Sequence, residues 1–392
     1  MQIVLGGLIS TAIATFVVSS AVAQQTIKIG VILAYSGAFA GPSVQMDNGI
    51  KLYMLQHGDT VAGKKIELIR RDTGGFAPLV AKQLAQDLIS RNNVDLFAGF
   101  VLTPNALAVA DVSAQAKKFM VNMNAAAAIV TTKSPYMVRT SLTVPQLNET
   151  LAVWAYRNAI RKVYTMVADF GPGLAAEDAF HKGYKDSGGE IVGSTRYPVG
   201  NAVLSAFVQR AKDSNAEAIY IWTPGGPQSL AIGKALAERS IDPKITKILG
   251  LGQLTSEDTL KSMGDMGIGI ITAFHYDLHH ESDVNVAFVR AYKDIFGSNP
   301  DMFSVGAYDG MHVVYEALKQ TSGKTDAESL VAAAKGMRWE SPRGMMSIDP
   351  ETRDVVQTVY IRRVERVDGE LRNVEFDKVT DVKDPFKLRL KN

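Results

Sequence analysis

The sequence predicts an α/β fold built as two doubly wound parallel-sheet lobes, and three observations carry that expectation. Strand-like apolar runs alternate with helical patterns of roughly 10 to 15 residues over most of the chain. The alternation breaks at a proline-punctuated stretch and restarts at residue 161. Beyond an uncharged leader roughly 370 residues remain, more than one core usually serves.

The first series opens on a buried strand, Thr26 to Leu33, after which Val44, Ile50, Tyr53 and Met54 recur at helical spacing within Val44 to His57. Strand Lys65 to Asp72 leads to helix Pro78 to Ser90, strand Val94 to Val101 leads to helix Pro104 to Lys117, and strand Lys118 to Met123 closes the series. Tyr136 to Asn148, marked by Pro135 and Pro145, reads as an extended passage between lobes. The second series pairs Arg161 to Asp169 with Gly173 to Asp186, Glu190 to Val199 with Val203 to Asp213, and Glu217 to Thr223 with Pro227 to Glu238, then adds Thr246 to Leu251. Strand Ile268 to Tyr276 precedes helices Val284 to Phe296 and Ser304 to Gln320. On the last helix Tyr308 and Tyr315 share a stripe with Ala307, Met311, Val314 and Leu318, so both read as core. The tail turns to strands, Val355 to Val364 and Leu371 to Phe376, with Asp368-Gly369 as a hairpin signal between them.

The first 23 residues carry no charge, hold an apolar run from Ile3 to Val18 and end in Ala21-Val22-Ala23. They predict a signal peptide, residues 1–23, cleaved after Ala23, although the usual basic start is missing; a retained anchor is the alternative. Such a leader predicts an exported protein. No later segment offers about 18 uninterrupted apolar residues. With no cysteine, the chain has no disulfide, thiolate metal site, cysteine nucleophile or lipid-accepting thiol. Lys and Arg number 42 against 40 Asp and Glu, a net +2 that gives no electrostatic reason to expect nucleic acid.

Catalytic look-alikes fail on context. Gly323-Lys324-Thr325 imitates a phosphate loop, but the glycine required five positions earlier is Leu318, and a helix precedes it. Gly250-Leu251-Gly252 lacks the third glycine of a dinucleotide fingerprint, which is Thr255 here, so a tight strand-to-helix turn explains it better. No G-x-S-x-G elbow exists. His275, His279, His280, Glu281 and Asp283 are ligand types, but an extended segment sends alternate residues to opposite faces, which favours a solvated loop over a metal site. His275 differs in ending an apolar strand near an expected crossing. No metal, cofactor or catalysis is expected.

Doubly wound sheets bind ligands where strands hand over to helices. Those stretches are Tyr35 to Pro42, Phe100 to Asn105, Asn122 to Ala128, Phe170 to Ala176, Trp222 to Gln228 and Gly250 to Thr255, and none holds a charged residue. Helix-capping Thr103 before Pro104, and Gly225-Gly226 before Pro227, leave helix-start N–H groups free, and such termini bind anions without a cationic side chain. Phe39, Phe100, Phe170 and Trp222 add flat apolar surface at the same ends, where each could equally cap its sheet. Together they predict a small-molecule pocket with few directed polar groups.

These residues resemble the branched-chain-amino-acid type of periplasmic substrate-binding proteins of ABC transporters. The resemblance rests on Ile29-Gly30-Val31 with Ser36-Gly37, the Asp169 to Gly173 turn, Phe296-Gly297 with Pro300, and Ala307-Tyr308-Asp309-Gly310. It covers nearly all of the chain beyond the leader, through many weak marks in the right order. It implies two lobes joined by three crossings, near Arg139 to Val144, Ala273 to Asp277 and Met337 to Pro342. Lobe one would then be 24–141 and 276–338, and lobe two 142–275 and 339–392. It also implies a monomer that closes over a small-molecule ligand and presents it to a membrane permease. Ser341-Pro342-Arg343-Gly344, Ser347-Ile348-Asp349-Pro350 and Thr352-Arg353-Asp354 look like a subgroup linked to aromatic or amide ligands.

Departures from the amino-acid-binding pattern shape the expected ligand. Hydroxyl positions for the carboxylate and amino group read Val101-Leu102 before Thr103, and Asn124 before Ala125 to Ala128, while the acidic position for the ammonium offers only Gln253. An unpaired buried ammonium is costly, so a zwitterion is disfavoured unless Asp169 or Asp277 substitutes. The leading expectation is an apolar carboxylate, aromatic in character. Thr103 with N–H groups near Asn105 and Ala125 would hold the acid, and Phe39, Phe170 and Trp222 would contact the ring. Tyr35, Ser36, Gln253 and His275 are candidates for polar groups at the far end, such as a ring hydroxyl. Phe100, Leu102, Asn124, Thr223 and Gly225 complete the expected lining. A branched-chain amino acid or amide is the alternative ligand. An exported cleft enzyme using His275 and Asp277, or a sensory module, are the alternative roles.

Overall fold

The computed structural model describes residues 25–200 and 203–390, so the leader and its cleavage point lie outside the described residues. The first series forms β1 (Thr26–Leu33), α1 (Ala40–His57), β2 (Thr60–Val61), β3 (Lys64–Asp72), α2 (Pro78–Ser90), β4 (Leu96–Gly99), α3 (Thr103–Ala116), β5 (Phe119–Asn122) and β6 (Met137–Arg139). They build a six-stranded sheet in the order β2-β3-β1-β4-β5-β6, parallel except for the short β2. The strand order reverses beside β1, so the loops after β1 and β4 flank a topological switch point.

The chain then runs through α4 (Val144–Arg157), β7 (Lys162–Ala168), α5 (Gly171–Asp186), β8 (Glu190–Tyr197), α6 (Ser205–Asp213), β9 (Ala218–Trp222), α7 (Pro227–Glu238), β10 (Lys247–Leu251), α8 (Glu257–Met263) and β11 (Ile271–Phe274). After α9 (Asp283–Phe296), α10 (Met302–Gln320) and α11 (Ala327–Ala334) come β12 (Arg338–Ser341), β13 (Gly344–Ile348), β14 (Val355–Val367), β15 (Glu370–Val382) and α12 (Pro385–Arg389). The second sheet follows the order β12-β13-β14-β11-β10-β9-β7-β8, with β15 paired to β14. Its switch point lies between β7 and β9, and β14 joins β11 antiparallel. Asp368 (φ 51°) and Gly369 (φ 84°) both take positive φ, as a tight two-residue hairpin requires.

The stretch Tyr136 to Asn148 is not extended throughout. Thr143 caps α4 through a box with Gln146, and Pro145 sits in the first helical turn, where a missing N–H costs nothing. Tyr315 is core at 1 % exposure, while Tyr308 is half-buried and donates to Gln56. None of the described helices is long and apolar enough to cross a membrane.

Two apolar clusters mark the lobes, and the chain passes between them three times. Val138 packs with the first sheet and Leu142 with the second; Phe274 packs with the second, and Tyr276 with Leu52 and Val305 beside α1 and α10. The third passage comes later than Met337 to Pro342. Trp339, Met346, Ile348 and Val355 still bury against the first lobe's core, whereas Val359, Ile361 and Val364 belong to the second. One strand, β14, therefore spans both lobes.

Buried ion pairs hold these passages. Arg343 donates to Asp309 (2.8 Å), to the Ser141 carbonyl (3.1 Å) and to Gln357 (2.8 Å), and also to the Thr140 carbonyl. Trp339 and Ser341 donate to the same Asp309, which explains an acid in the Ala307 to Gly310 motif. Arg139 faces Asp354 at 3.2 Å, and Arg362 donates to Asp277 at 2.8 Å. Each buried cation thus has a carboxylate, the condition for burying charge at tolerable cost.

Candidate functional site

The candidate site residues lie at the carboxyl ends of both sheets, and the helices that start there have no side-chain cap. Among the described residues, α1, α2, α3, α5, α6, α7 and α8, each following a strand of its own lobe, have no side-chain cap. The helices elsewhere, α4, α9, α10, α11 and α12, are capped by Thr143, Ser282, Asp301, Asp326 and Asp384. Uncapped first-turn N–H groups carry the positive end of the helix dipole and stay available to an anion.

In lobe one, Tyr35, Phe39 and Leu102 lie at the edge of the core cluster, all half-buried. Leu102, not Thr103, occupies the cap position of α3, and Thr103 is its first helical residue. Thr103 Oγ1 accepts from the Ala127 N–H at 3.3 Å, which leaves its own proton free to donate. The buried Asn105 amide donates to Thr73 (3.1 Å) and to the Gly75 carbonyl (2.8 Å) and accepts from the Ala77 N–H (3.1 Å), pinning the loop after β3 to the start of α3.

Several expected contacts are placed differently. The Ala125 N–H is spent on the Phe100 carbonyl at 2.9 Å, so it is not free for an anion. Phe100 itself is 1 % exposed and packs with α2 and α3, held at φ 73° by the sharp turn out of β4. It caps the sheet instead of lining the cleft. The Tyr35 hydroxyl donates to Asp47 at 3.1 Å, and burial followed by that carboxylate keeps it protonated far above its ordinary range. Ser36 is exposed, and its N–H reaches Asp72 at 3.3 Å. Burial lifts the Asp72 pKa, but hydrogen bonds from Gly74 and Ser36 outweigh it and hold the carboxyl below its usual value. Asn124 donates to the Val101 carbonyl at 2.8 Å and keeps a buried, unpartnered Oδ1.

In lobe two the structure brings five expected residues together. Phe170, at the cap position of α5, lies against Trp222 with ring centroids 5.6 Å apart, a tilted pair that forms one apolar wall. The Tyr197 hydroxyl fixes the Trp222 carbonyl at 2.7 Å, and Gly173 leaves room for the indole, since a Cβ there would meet it at 3.3 Å. Thr223 accepts from the Gly225 N–H at 3.4 Å, and a Cβ on Gly225 would meet Gln253 at 3.4 Å, so the loops after β9 and β10 touch.

At the second passage, His275 has no solvent exposure, stacks edge-on against Phe274 at 4.7 Å, and has no partner for either ring nitrogen. Burial, then the charges of Arg343 and Arg362, push its pKa well below the usual value, so the ring is neutral. Asp277 is buried and committed to Arg362, which removes it as an acceptor for a ligand ammonium. His280 pairs with Glu375 at 3.0 Å. Sequence reasoning missed Ser141 and the paired arginines. Arg139 stood in a stretch already read as a crossing and Arg343 in the segment just beyond another, but nothing in a lone arginine announces which carboxylate it meets.

The chain as a whole has counterparts among known proteins. A family profile described as periplasmic binding protein matches residues 26–370. A Brucella melitensis protein named Leu/Ile/Val-binding protein homolog 6 is 39 % identical over 379 residues, covering 96 % of this chain and 97 % of its own. The solute-binding protein of an ABC transporter from Rhodopseudomonas palustris BisB5, solved with 3,4-dihydroxybenzoic acid, is 48 % identical with a TM-score of 0.85 over 92 % of this chain and 99 % of its own. Its counterpart from strain HaA2, solved with p-hydroxybenzoic acid, is 39 % identical with a TM-score of 0.86 over 93 % of this chain and 100 % of its own. Profile, identity and coverage agree, and the chain belongs to the periplasmic binding protein family, as a substrate-binding protein of the Leu/Ile/Val-binding type.

Proposed function

We propose that this protein is the exported binding component of an ABC importer, which closes its lobes over an aromatic carboxylate and hands it to a membrane permease. The observation that carries the reading is the pairing of uncapped helix starts with the Phe170–Trp222 wall, in loops that hold no Lys or Arg and a single acid, the exposed Asp169. The acid group meets the first turn of α3, where Pro104 has no N–H and those of Thr103 and Asn105 point out of the helix, joined by the Thr103 hydroxyl. The ring lies on Phe170 and Trp222, with Phe39 and Leu102 closing from lobe one. Gly225, Thr223 and Asn124 fill the remaining lining. Ligand bridging the lobes drives closure, because it gains contacts only in the closed state. The protein acts as a monomer, without catalysis or cofactor, and its leader is removed after Ala23.

The hydroxybenzoic acids bound by the two Rhodopseudomonas relatives support an aromatic acid. A branched-chain amino acid is the second reading, favoured by the name of the Brucella relative, but the commitment of Asp277 to Arg362 counts against it. A thermal-shift panel separates the two. At about 100 times its dissociation constant a true ligand stabilises by roughly 2.7 kcal/mol. Benzoate-type acids are expected to raise the melting temperature while leucine and valine leave it unchanged, and the reverse result refutes the aromatic reading. Recovery of the acid unchanged after incubation is the outcome expected of a carrier.

A further inference from the structure

Buried polar atoms without partners collect where the passages between lobes meet the strand ends. They include both ring nitrogens of His275, Ser141 Oγ and Gln253 Oε1. Three connections bring these groups toward one another near the passages between the lobes. Arg343 binds the Ser141 carbonyl, and its charge acts on His275. Phe274, which precedes His275, fills the space that a side chain at Gly252 would need, and Gln253 follows Gly252. The parallel pairing of β10 and β11 stays in step up to Leu251 with Ala273, so Gln253 and His275 each follow two residues beyond the same paired position. An unsatisfied buried polar group costs on the order of 1–3 kcal/mol, so these atoms call for a partner that the chain itself does not supply.

The other groups that could have met a polar ring substituent are spent or turned away. Tyr35 donates to Asp47, and Ser36 is exposed beside Asp72. A neutral imidazole offers one donor and one acceptor, the complement of a hydroxyl, which can also give one proton and accept one. An ammonium suits it less well, because Arg343 and Arg362 already press on the ring. We infer that His275, with Ser141 and Gln253 beside it, is the recognition site for a hydroxyl on the ligand's ring, which makes the protein selective for phenolic acids over unsubstituted benzoate. This rests on the aromatic-acid reading above and adds the orientation: acid toward α3, hydroxyl toward the second passage.

Calorimetric titration of the full chain with benzoate, 4-hydroxybenzoate, 3,4-dihydroxybenzoate and leucine tests it. The wild type is expected to bind at least one hydroxybenzoate about tenfold or more tighter than benzoate, because benzoate leaves the imidazole unpaired. His275→Leu should bring that ratio to within about threefold. If this variant does not fold by circular dichroism, Gln253→Leu, at a half-buried loop position, should lower the ratio in the same direction. Equal wild-type affinity for benzoate and both hydroxybenzoates overturns the inference and leaves the aromatic-acid reading standing, as does a folded His275→Leu that keeps the full ratio. Binding of leucine with no aromatic acid bound overturns both.

Discussion

Gly173 shows how closely single residues set the aromatic wall. A Cβ there would lie 2.0 Å from the Ala168 carbonyl oxygen and 3.3 Å from the Trp222 ring, so Gly173→Ala must shift the start of α5. Such overpacking costs about 1–3 kcal/mol, readable as a lower denaturation midpoint, and it should weaken ligand binding by displacing the indole. Phe170 is half-buried and contributes mainly to the cleft. Phe170→Ala should reduce aromatic-acid affinity roughly tenfold by calorimetry, and Phe170→Tyr should retain it. At the passages, Arg343→Leu leaves Asp309 buried with its main cation gone. A loss of about 3–5 kcal/mol in chemical denaturation is expected, far more than a surface pair would cost.

At the level of elements, the helix starts divide by role. Thr143 caps α4 in a box with Gln146, and Gln146 also reaches the carbonyls of Val355 and Val382 across the hinge. Thr143→Ala should cost about 1 kcal/mol of stability without changing ligand affinity, whereas a ligand takes the place of a cap at α3. Strands and helices of the parallel sheets were legible because their apolar runs alternate with periodic segments, as in Arg161 to Asp169 followed by α5. The Asp368-Gly369 turn was legible because positive φ at two successive positions selects those residues. The start of α4 was hidden because Pro145 breaks a chain in one context and begins a helix in another. The hairpin of β12 and β13 was hidden because its four and five residues are too short for a period. The position of Phe170 and Trp222 at the carboxyl ends of β7 and β9 was legible from the strand pattern. The withdrawal of Phe100, the spent N–H of Ala125 and the convergence on His275 depend on long-range packing that no local pattern records.

For the whole molecule, the ionic hinge and the histidines set how stability responds to pH. Burial is the first cause lowering the pKa of His57, His181, His275 and His312. Once unfolded, these rings take up protons below their ordinary value of 6.5, while the folded chain resists. Their contribution is therefore fully present above that pH and lost as pH falls through it. Burial lifts Asp301 to about 6, and this acts with the opposite sign below that pH, so the useful window runs from about pH 7.5 to 6. Denaturation of the ligand-free protein should show stability falling across it, with a shallower fall in His275→Leu. The buried pairs Arg139–Asp354, Arg343–Asp309 and Arg362–Asp277 keep the paired cations at the passages, while the loops before α3, α5 and α7 hold no Lys or Arg. That division of charge is the central claim. A crystal structure of the protein with 4-hydroxybenzoate tests it most directly. The account predicts carboxylate oxygens about 2.7–3.2 Å from first-turn N–H groups of α3, with the ring on Phe170 and Trp222. An Arg or Lys side chain paired with that carboxylate, or a ligand seated away from the strand ends, would contradict it.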